Sequence, residues 1–502
     1  MSTLVTTTTS AGARRAPSRS AVLLVCCLAQ LMVVLDVSVV MVALPQARHD
    51  LHMSASAQQW VVNAYTLTFA GFLMLGGRAA DLWGRKRVFL LGLGAFTLFS
   101  LLGGLATSAS WLVLARAAQG LGGAILAPAT LSLLTTTFPQ PEERRRALGA
   151  WSATAASGAA VGVLAGGILT QALDWRWVLF INVPIGAGLI ALTALRVHEQ
   201  PAARSASSLD VPGALTVTAG LALAVYGIVN AGDSSWAAAG TIVPLVAGAL
   251  LLVGFALVEK YWAAQPLVPL AVFRLRSVSA SNSVAVFIGA AVFGLYFFLS
   301  LYLQQVNGYS ALEGGLAYLP AGLATLLAAL TGSRLVAVIG VRRQLLVGPL
   351  LAAGGLGWLA TLQPGMGYLA HVFGPLVLAG IGFGLSFVPM TMAATTGMPR
   401  EQAGLAAGLI NTTRQVGGAL GLAAMSTVVA DMAGGSAHRA PAQVATALTN
   451  GYDAAFLLCC AALVAAAVAA RLLPHQGRAR TSEPGEVDLR AGRAEALVGA
   501  GH

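Results

Sequence analysis

Charge is the first thing this sequence lacks. Only 9% of its 502 residues are Asp, Glu, Lys or Arg, against about 25% in an average soluble domain. Lysine is nearly absent: Lys86 and Lys260 are the only two, and neither lies in a GxxxxGK[ST] loop, which argues against direct ATP hydrolysis. Neither HExxH nor GxSxG occurs, so the signatures of zinc proteases and serine hydrolases are missing. No enzyme activity, metal or cofactor is expected. The four cysteines, Cys26, Cys27, Cys459 and Cys460, all fall in apolar runs, which favours packing over disulfide, zinc or redox roles.

What the sequence has in abundance is apolar length. Hydrophobic residues make up 57%, the mean hydropathy is +0.78, and runs of about 20 apolar residues follow one another, the length that crosses a bilayer as a helix. Such runs must be helical because hydrocarbon offers no partner to an open backbone; a transmembrane barrel would show short alternating strands instead. Spans are expected near 21–44, 60–78, 88–107, 111–134, 148–171, 175–195, 211–230, 239–258, 280–303, 312–331, 344–362, 370–392, 403–430 and 452–472, fourteen in all. The fold class is an all-α membrane protein.

The positive-inside rule tests that count, because one missing span would scramble the sides of all later loops. With the N-terminus in the cytoplasm, 24 of the 29 basic residues fall inside, Arg48, Arg176 and Arg439 fall outside, and Arg116 and Arg414 lie within spans. Both termini are therefore expected in the cytoplasm. The net charge of +11 reads as a topology signal in short loops and not as a nucleic-acid surface. Residues 1–20, rich in Thr, Ser and Ala, read as a retained cytoplasmic tail, since the first apolar run is long and more follow. Residues 473–502 are polar and aperiodic, and are expected to be a disordered tail.

An internal repeat organises the rest. Arg78-x5-Gly84-Arg85-Lys86-Arg87 recurs as Arg334-x5-Gly340-Val341-Arg342-Arg343, each between the second and third spans of a six-span block. Residues 21–195 and 280–472 are thus two six-helix bundles, and 196–279 is a linker holding two extra spans. In the first copy Gly84 permits a tight turn of positive φ, Asp81 can pair with a neighbouring arginine, and the basic run anchors the loop at the membrane surface. A plain topology anchor is the alternative reading. The second copy has Ala337 at the acid position.

Asp36 is the acid set most deeply in an apolar run. An ionised side chain at a helix centre costs about 2.5–3.5 kcal/mol on insertion scales, so an intramembrane acid is functional by default. A carboxyl group caught between desolvation and a neighbouring guanidinium can load and release a proton. Helical rise puts Asp36 about 12 Å and Arg116 about 8 Å from the same membrane face, so the two are expected to interact, as a switch or as a permanent structural pair. Gly158, Gly162 and Gly166 recur every four residues on one helix face, which invites close approach by another helix, within the chain or in a dimer. Arg414 lies near mid-membrane, facing a cavity or bracing helices. Asn63, Gln304 and aromatic residues including Tyr65 and Tyr296 are candidates for contact with a substrate, with lipid or packing contact as the alternative for the aromatics.

The 77–87 turn, GRAADLWGRKR, resembles the cytoplasmic signature between the second and third helices of the major facilitator superfamily. Leu35 to Pro45 is similar to the first-helix signature of its fourteen-span drug:proton antiporters, the EmrB/QacA-like group, with Ser38 and Met41 where that group usually has Thr and Asn. Further matches are Arg116 with Gln119-Gly120, Trp175-Arg176-Trp177 with Asn182-Val183-Pro184, and Asn411-Thr412-Thr413-Arg414-Gln415 with Gly417-Gly418. In span five Gly158, Gly162, Gly166 and Gly167 keep the family spacing, but Val163 replaces a proline.

The resemblance implies a major facilitator fold of two six-helix bundles plus two inserted helices, in a bacterial inner membrane. It implies a proton-coupled exporter of hydrophobic or amphipathic drugs, with a proton-coupled importer of a small metabolite as the alternative. Asp36 and Arg116 would couple protons. Gly77, Arg78, Asp81, Gly84, Arg85, Lys86 and Arg87 would gate. Gly158, Gly162, Gly166 and Gly167 would form a small-residue contact between the halves, and Asn63, Tyr65, Tyr296, Gln304, Asn411 and Arg414 would contact substrate. Expected partners are a small-molecule substrate, protons and the bilayer, with no nucleic acid and a monomeric state.

Overall fold

The computed structural model describes residues 19–197, 199, 209–263, 266–396, 398, 403–433 and 441–474. The tail residues 1–18 and 475–502, and the loop arginines Arg204, Arg400 and Arg439, lie outside the described residues.

Among the described residues the secondary structure is all helical. In order the helices are α1 (Arg19–Asp50), α2 (Ala55–Trp83), α3 (Arg85–Gly104), α4 (Ala109–Thr137), α5 (Pro141–Ala172), α6 (Trp177–Phe180), α7 (Asn182–Arg196), α8 (Val211–Asp233), α9 (Ala239–Tyr261), α10 (Arg276–Leu301), α11 (Ala311–Ile339), α12 (Val341–Leu359), α13 (Tyr368–His371), α14 (Phe373–Thr395), α15 (Ala403–Ala433) and α16 (Pro441–Ala470). A π-helical turn, Tyr302–Val306, extends α10.

Among the described residues, 11 helical stretches are long and apolar enough to cross a membrane, fewer than the fourteen expected. Three further long helices stand outside that count: in α5 the apolar stretch described is Val161–Ala172, α12 opens with Arg342, Arg343 and Gln344, and α15 holds Asn411 to Gln415 near its middle. Several helices also overrun the expected spans: α1 has 32 residues, about 48 Å at 1.5 Å per residue.

Helices α1 to α7 form one bundle and α10 to α16 another, packed mainly through α2 with α4, α3 with α4, α1 with α5, and through α10 with α15, α12 with α14 and α11 with α14. Small residues set these distances, as expected where no water drives helices together. A Cβ on Gly122 would lie 2.6 Å from the Phe96 backbone nitrogen, and one on Gly355 2.5 Å from the Pro375 carbonyl oxygen.

The two halves meet along two seams. In one, α5 lies on α11. In the other, α2 faces α15, and α8 packs on both. Leu67 of α2, Leu221, Val225 and Val229 of α8, and Ala419 and Ala423 of α15 share one buried cluster, and the Thr427 hydroxyl donates to the Ile228 carbonyl at 2.8 Å. α9 packs on α8 and leaves Val243, Leu250 and Val253 more than half exposed, a lipid-type surface.

Both copies of the repeat close with glycine in the same conformation. Gly84 sits at φ 95°, ψ 136° between α2 and α3, and Gly340 at φ 84°, ψ 155° between α11 and α12. L-residues rarely occupy that region.

Candidate functional site

Asp36 lies at the middle of α1 with no exposed surface, and Arg116 on α4 is 2% exposed. Arg116 Nη1 donates to Asp36 Oδ2 at 2.5 Å. The other carboxylate oxygen, Oδ1, accepts from Gln119 Nε2 at 2.8 Å and Asn182 Nδ2 at 2.9 Å. Gln119 closes the circuit, because its own Oε1 accepts from Arg116 Nη1 at 2.7 Å. Asn182 also donates to Ser100 Oγ at 3.0 Å, and Ser100 donates to the Leu179 carbonyl at 2.8 Å. One acid therefore ties α1 to α4 and α7, with α3 as backing.

The sequence folds this way for local reasons. Arg116 and Gln119 are three apart on α4 and so share a face. Asn182 is the first residue of α7, next to the break at Ile181 that separates α6 from α7, and its side chain turns into the bundle. The Tyr65 ring stacks over the Arg116 guanidinium at 4.3 Å and against Phe69 at 5.9 Å. Tyr65 is thus brought to the ion pair. Gln119 and Asn182 stood in the family-like motifs without being given a site role, and Ser100 in neither; the i, i+3 spacing of Arg116 and Gln119 was a further signal for the first.

The remaining candidates disperse. Asn63 on α2 is wholly buried, and neither end of its amide has a hydrogen-bond partner. Tyr296 stacks on Tyr318 at 5.2 Å. Arg414 and Asn411 are together: Arg414 Nη2 donates to Asn411 Oδ1 at 3.0 Å, and its guanidinium stands 5.4 Å from the Phe387 ring. Among the described residues Arg414 has no carboxylate partner. Gln304 sits on the π-helical turn, donating to the Val42 carbonyl of α1 at 3.2 Å and to Ser300 Oγ at 3.0 Å.

The glycines of α5 correct one expectation. Gly158, Gly162 and Gly166 pack on α1, within the same half: a Cβ on Gly162 would lie 2.9 Å from the Leu35 carbonyl oxygen and one on Gly166 2.9 Å from that of Val39. The four-residue spacing gives all three one face, and α1 occupies it. Gly167 is one residue, or about 100°, further round, and it alone of the four faces the other half, 2.7 Å from the Ala311 carbonyl oxygen.

The 77–87 turn is held by contacts from several directions. The Arg85 Nε donates to Ser132 Oγ at 2.8 Å and its Nη2 lies 3.9 Å from Asp81. Arg78 donates to the Pro266 carbonyl of the linker. Glu199, just past α7, reaches back: it accepts from the Lys86 backbone N–H at 3.3 Å and lies 3.9 Å from Arg87. The Lys86 ammonium donates to the Ala194 carbonyl at 3.2 Å. Gly77 packs beside Pro128 of α4, which a Cβ would meet at 3.7 Å.

Two helical bundles with an ion pair sealed inside one of them are the build of a membrane transporter. The chain belongs to the major facilitator superfamily, whose profile matches residues 26–422; it is a multi-pass transporter, not an enzyme. It is 42% identical over 478 residues to the cephamycin export protein CmcT of Amycolatopsis lactamdurans, covering 94% of this chain and 96% of that one. It is 41% identical over 489 residues to the puromycin resistance protein pur8 of Streptomyces alboniger, covering 95% of each. In fold it is similar to a bacterial homologue of the human lysosomal transporter Spinster, with 20% identity and a TM-score of 0.63 over 91% of this chain and 97% of that one.

Proposed function

We propose that the chain is a proton-coupled exporter of hydrophobic or amphipathic antibiotics, working as a monomer by alternating access in a bacterial cell membrane. The 77–87 turn and both termini face the cytoplasm in this reading. α5, α12 and α15 cross the bilayer together with the eleven more apolar stretches, which makes fourteen spans and aligns the chain with the EmrB/QacA-like antiporters. The relatives named for cephamycin export and puromycin resistance support the substrate class.

The observation that carries the coupling is the fully buried Asp36 with three side-chain donors from α4 and α7. Ionised, it holds Arg116, Gln119 and Asn182 against α1. Protonated, it loses the charge that organises them, and α1 is freed to shift against α4 and α7. A proton entering from outside brings about 2.3 kcal/mol per 100 mV, enough to bias a two-state equilibrium strongly. The turn residues Gly77, Arg78, Asp81, Gly84, Arg85, Lys86 and Arg87 act as the cytoplasmic gate. Asn63, Tyr65, Tyr296, Gln304, Asn411 and Arg414 contribute contacts along the substrate path.

Everted membrane vesicles with an acidified interior test the reading. The expected result is puromycin or cephamycin uptake that collapses when the gradient is dissipated and is lost in Asp36→Asn. Gradient-driven uptake unchanged in Asp36→Asn would overturn the coupling scheme. Movement of a substrate with the proton rather than against it would make the chain a symporter.

A further inference from the structure

At the end of the bundle opposite the 77–87 turn, the seam between the halves holds a cavity of about 420 Å³, within the range of small-molecule sites. Its polar lining is Gln46 of α1, Thr170 and Gln171 of α5, Gln304 and Gln305 of the π-helical turn, and Tyr309 beyond it. Among the described residues no charged side chain lines it. Two halves of the molecule thus converge four glutamines on one space.

Several of these groups have hydrogen-bonding capacity left over. Thr170 is 2% exposed and its buried hydroxyl has no partner. Gln304 spends its amide N–H groups on Val42 and Ser300, which leaves its carbonyl oxygen. Gln305 accepts from the Tyr452 hydroxyl at 3.2 Å, which leaves its amide nitrogen. Successive helical positions point about 100° apart, so Gln304 reaches α1 while Gln305 reaches α16.

We infer that this cavity is a second, outward-facing substrate site that receives the hydroxyl- and amide-bearing part of the exported molecule as it leaves. The inference rests on the export reading. Uncharged donors and acceptors match neutral polar groups whatever the charge elsewhere on the molecule. Bonds to neutral amides also exchange with water at little net gain, so the site holds its ligand weakly, as release requires. Because α1 and α5 supply one wall and the π-helical turn the other, the site changes shape as the halves rock.

Gln171→Cys in right-side-out vesicles, treated with a membrane-impermeant thiol reagent, provides the test, with puromycin as the probe. Puromycin at about three times its dissociation constant should slow modification about fourfold, since only the empty cavity reacts. In the same background Gln46→Leu with Gln305→Leu should remove the protection. Gln46→Cys, also at an exposed position, is the second reporter should the first fail to insert, with Gln171→Leu and Gln305→Leu as its double leucine change. Modification unaffected by puromycin, or protection that survives the double leucine change, overturns the inference. Export of puromycin by the unaltered chain is measured alongside: its absence would count against the export reading, while the protection result still decides the cavity.

Discussion

Asp36 on α1 and Arg116 on α4 meet at 2.5 Å with neither side chain more than 2% exposed. A buried pair of this kind adds little net stability over an apolar replacement, whereas removing one partner strands the other and costs about 3–5 kcal/mol. Arg116→Ala should therefore lower thermal stability sharply, while Asp36→Asn with Arg116→Gln, which removes both charges, should recover most of it. Transport separates a switch from a permanent brace. A proton switch predicts that the double variant is stable and inactive in gradient-driven export; a stable, active double variant would leave the pair structural.

Gln119 bonds both members of the pair. Replacing it with leucine takes one donor from the carboxylate and one acceptor from the guanidinium. Hydrogen bonds to charged groups are worth about 1.5–3 kcal/mol each, so with two of them gone Gln119→Leu should cut export by at least about 100-fold at unchanged protein level. Initial-rate uptake normalised to membrane-inserted protein checks this.

Depth along the helices was enough to bring Asp36 and Arg116 to overlapping levels, because one rise per residue fixes both. It could not reveal Asn182, whose approach depends on the break between α6 and α7, nor choose the neighbour of the α5 glycines. Spacing places Gly158, Gly162 and Gly166 on one face; which helix covers that face is decided by packing of whole bundles, and α1 does. The internal repeat likewise set α8 and α9 apart as an expected insertion without disclosing that α8 packs on both α2 and α15. Gln304 was legible as a polar candidate, but Gln46 and Gln171 carry no periodic or charge signal, and only the meeting of α1, α5 and the π-helical turn at the seam puts them in one cavity.

The α5 glycines give graded outcomes. Gly149 has open space around a Cβ, so Gly149→Ala should be neutral or stabilise by up to about 1 kcal/mol through helix propensity. Gly162→Val should cost about 1–3 kcal/mol by crowding α1. Gly167→Val presses instead on α11, in the other half, and should impair distal closure more than it lowers the melting temperature. Thermal unfolding and the rate of thiol labelling at Gln171→Cys separate the two effects.

Arg414 is a half-buried guanidinium with Asn411 and the Phe387 face as its protein contacts. A path residue and a brace fail differently. Arg414→Gln is expected to raise KM for carboxylate-bearing substrates by at least about tenfold, since a charge-assisted contact is lost, and to change KM for cationic substrates far less. An equal loss for all substrates, accompanied by a lower melting temperature, would assign Arg414 to bracing.

The two turn glycines offer an internal comparison. Gly84 and Gly340 share a backbone conformation that side chains other than glycine hold at a cost of about 1–3 kcal/mol, so the strain from an alanine should be similar at both. Their surroundings differ: a Cβ at Gly84 would lie 2.6 Å from a Glu199 carboxylate oxygen, and one at Gly340 meets nothing within 4 Å. Gly340→Ala should thus cost stability through strain alone. Gly84→Ala should carry that same strain and also push Glu199 away from the Lys86 N–H and from Arg87. If that latch steadies the gate, Gly84→Ala will lose more transport than Gly340→Ala at equal protein level, and Glu199→Ala will reproduce the extra loss without the strain. Equal transport by the two glycine variants would restrict the turn to a topological role.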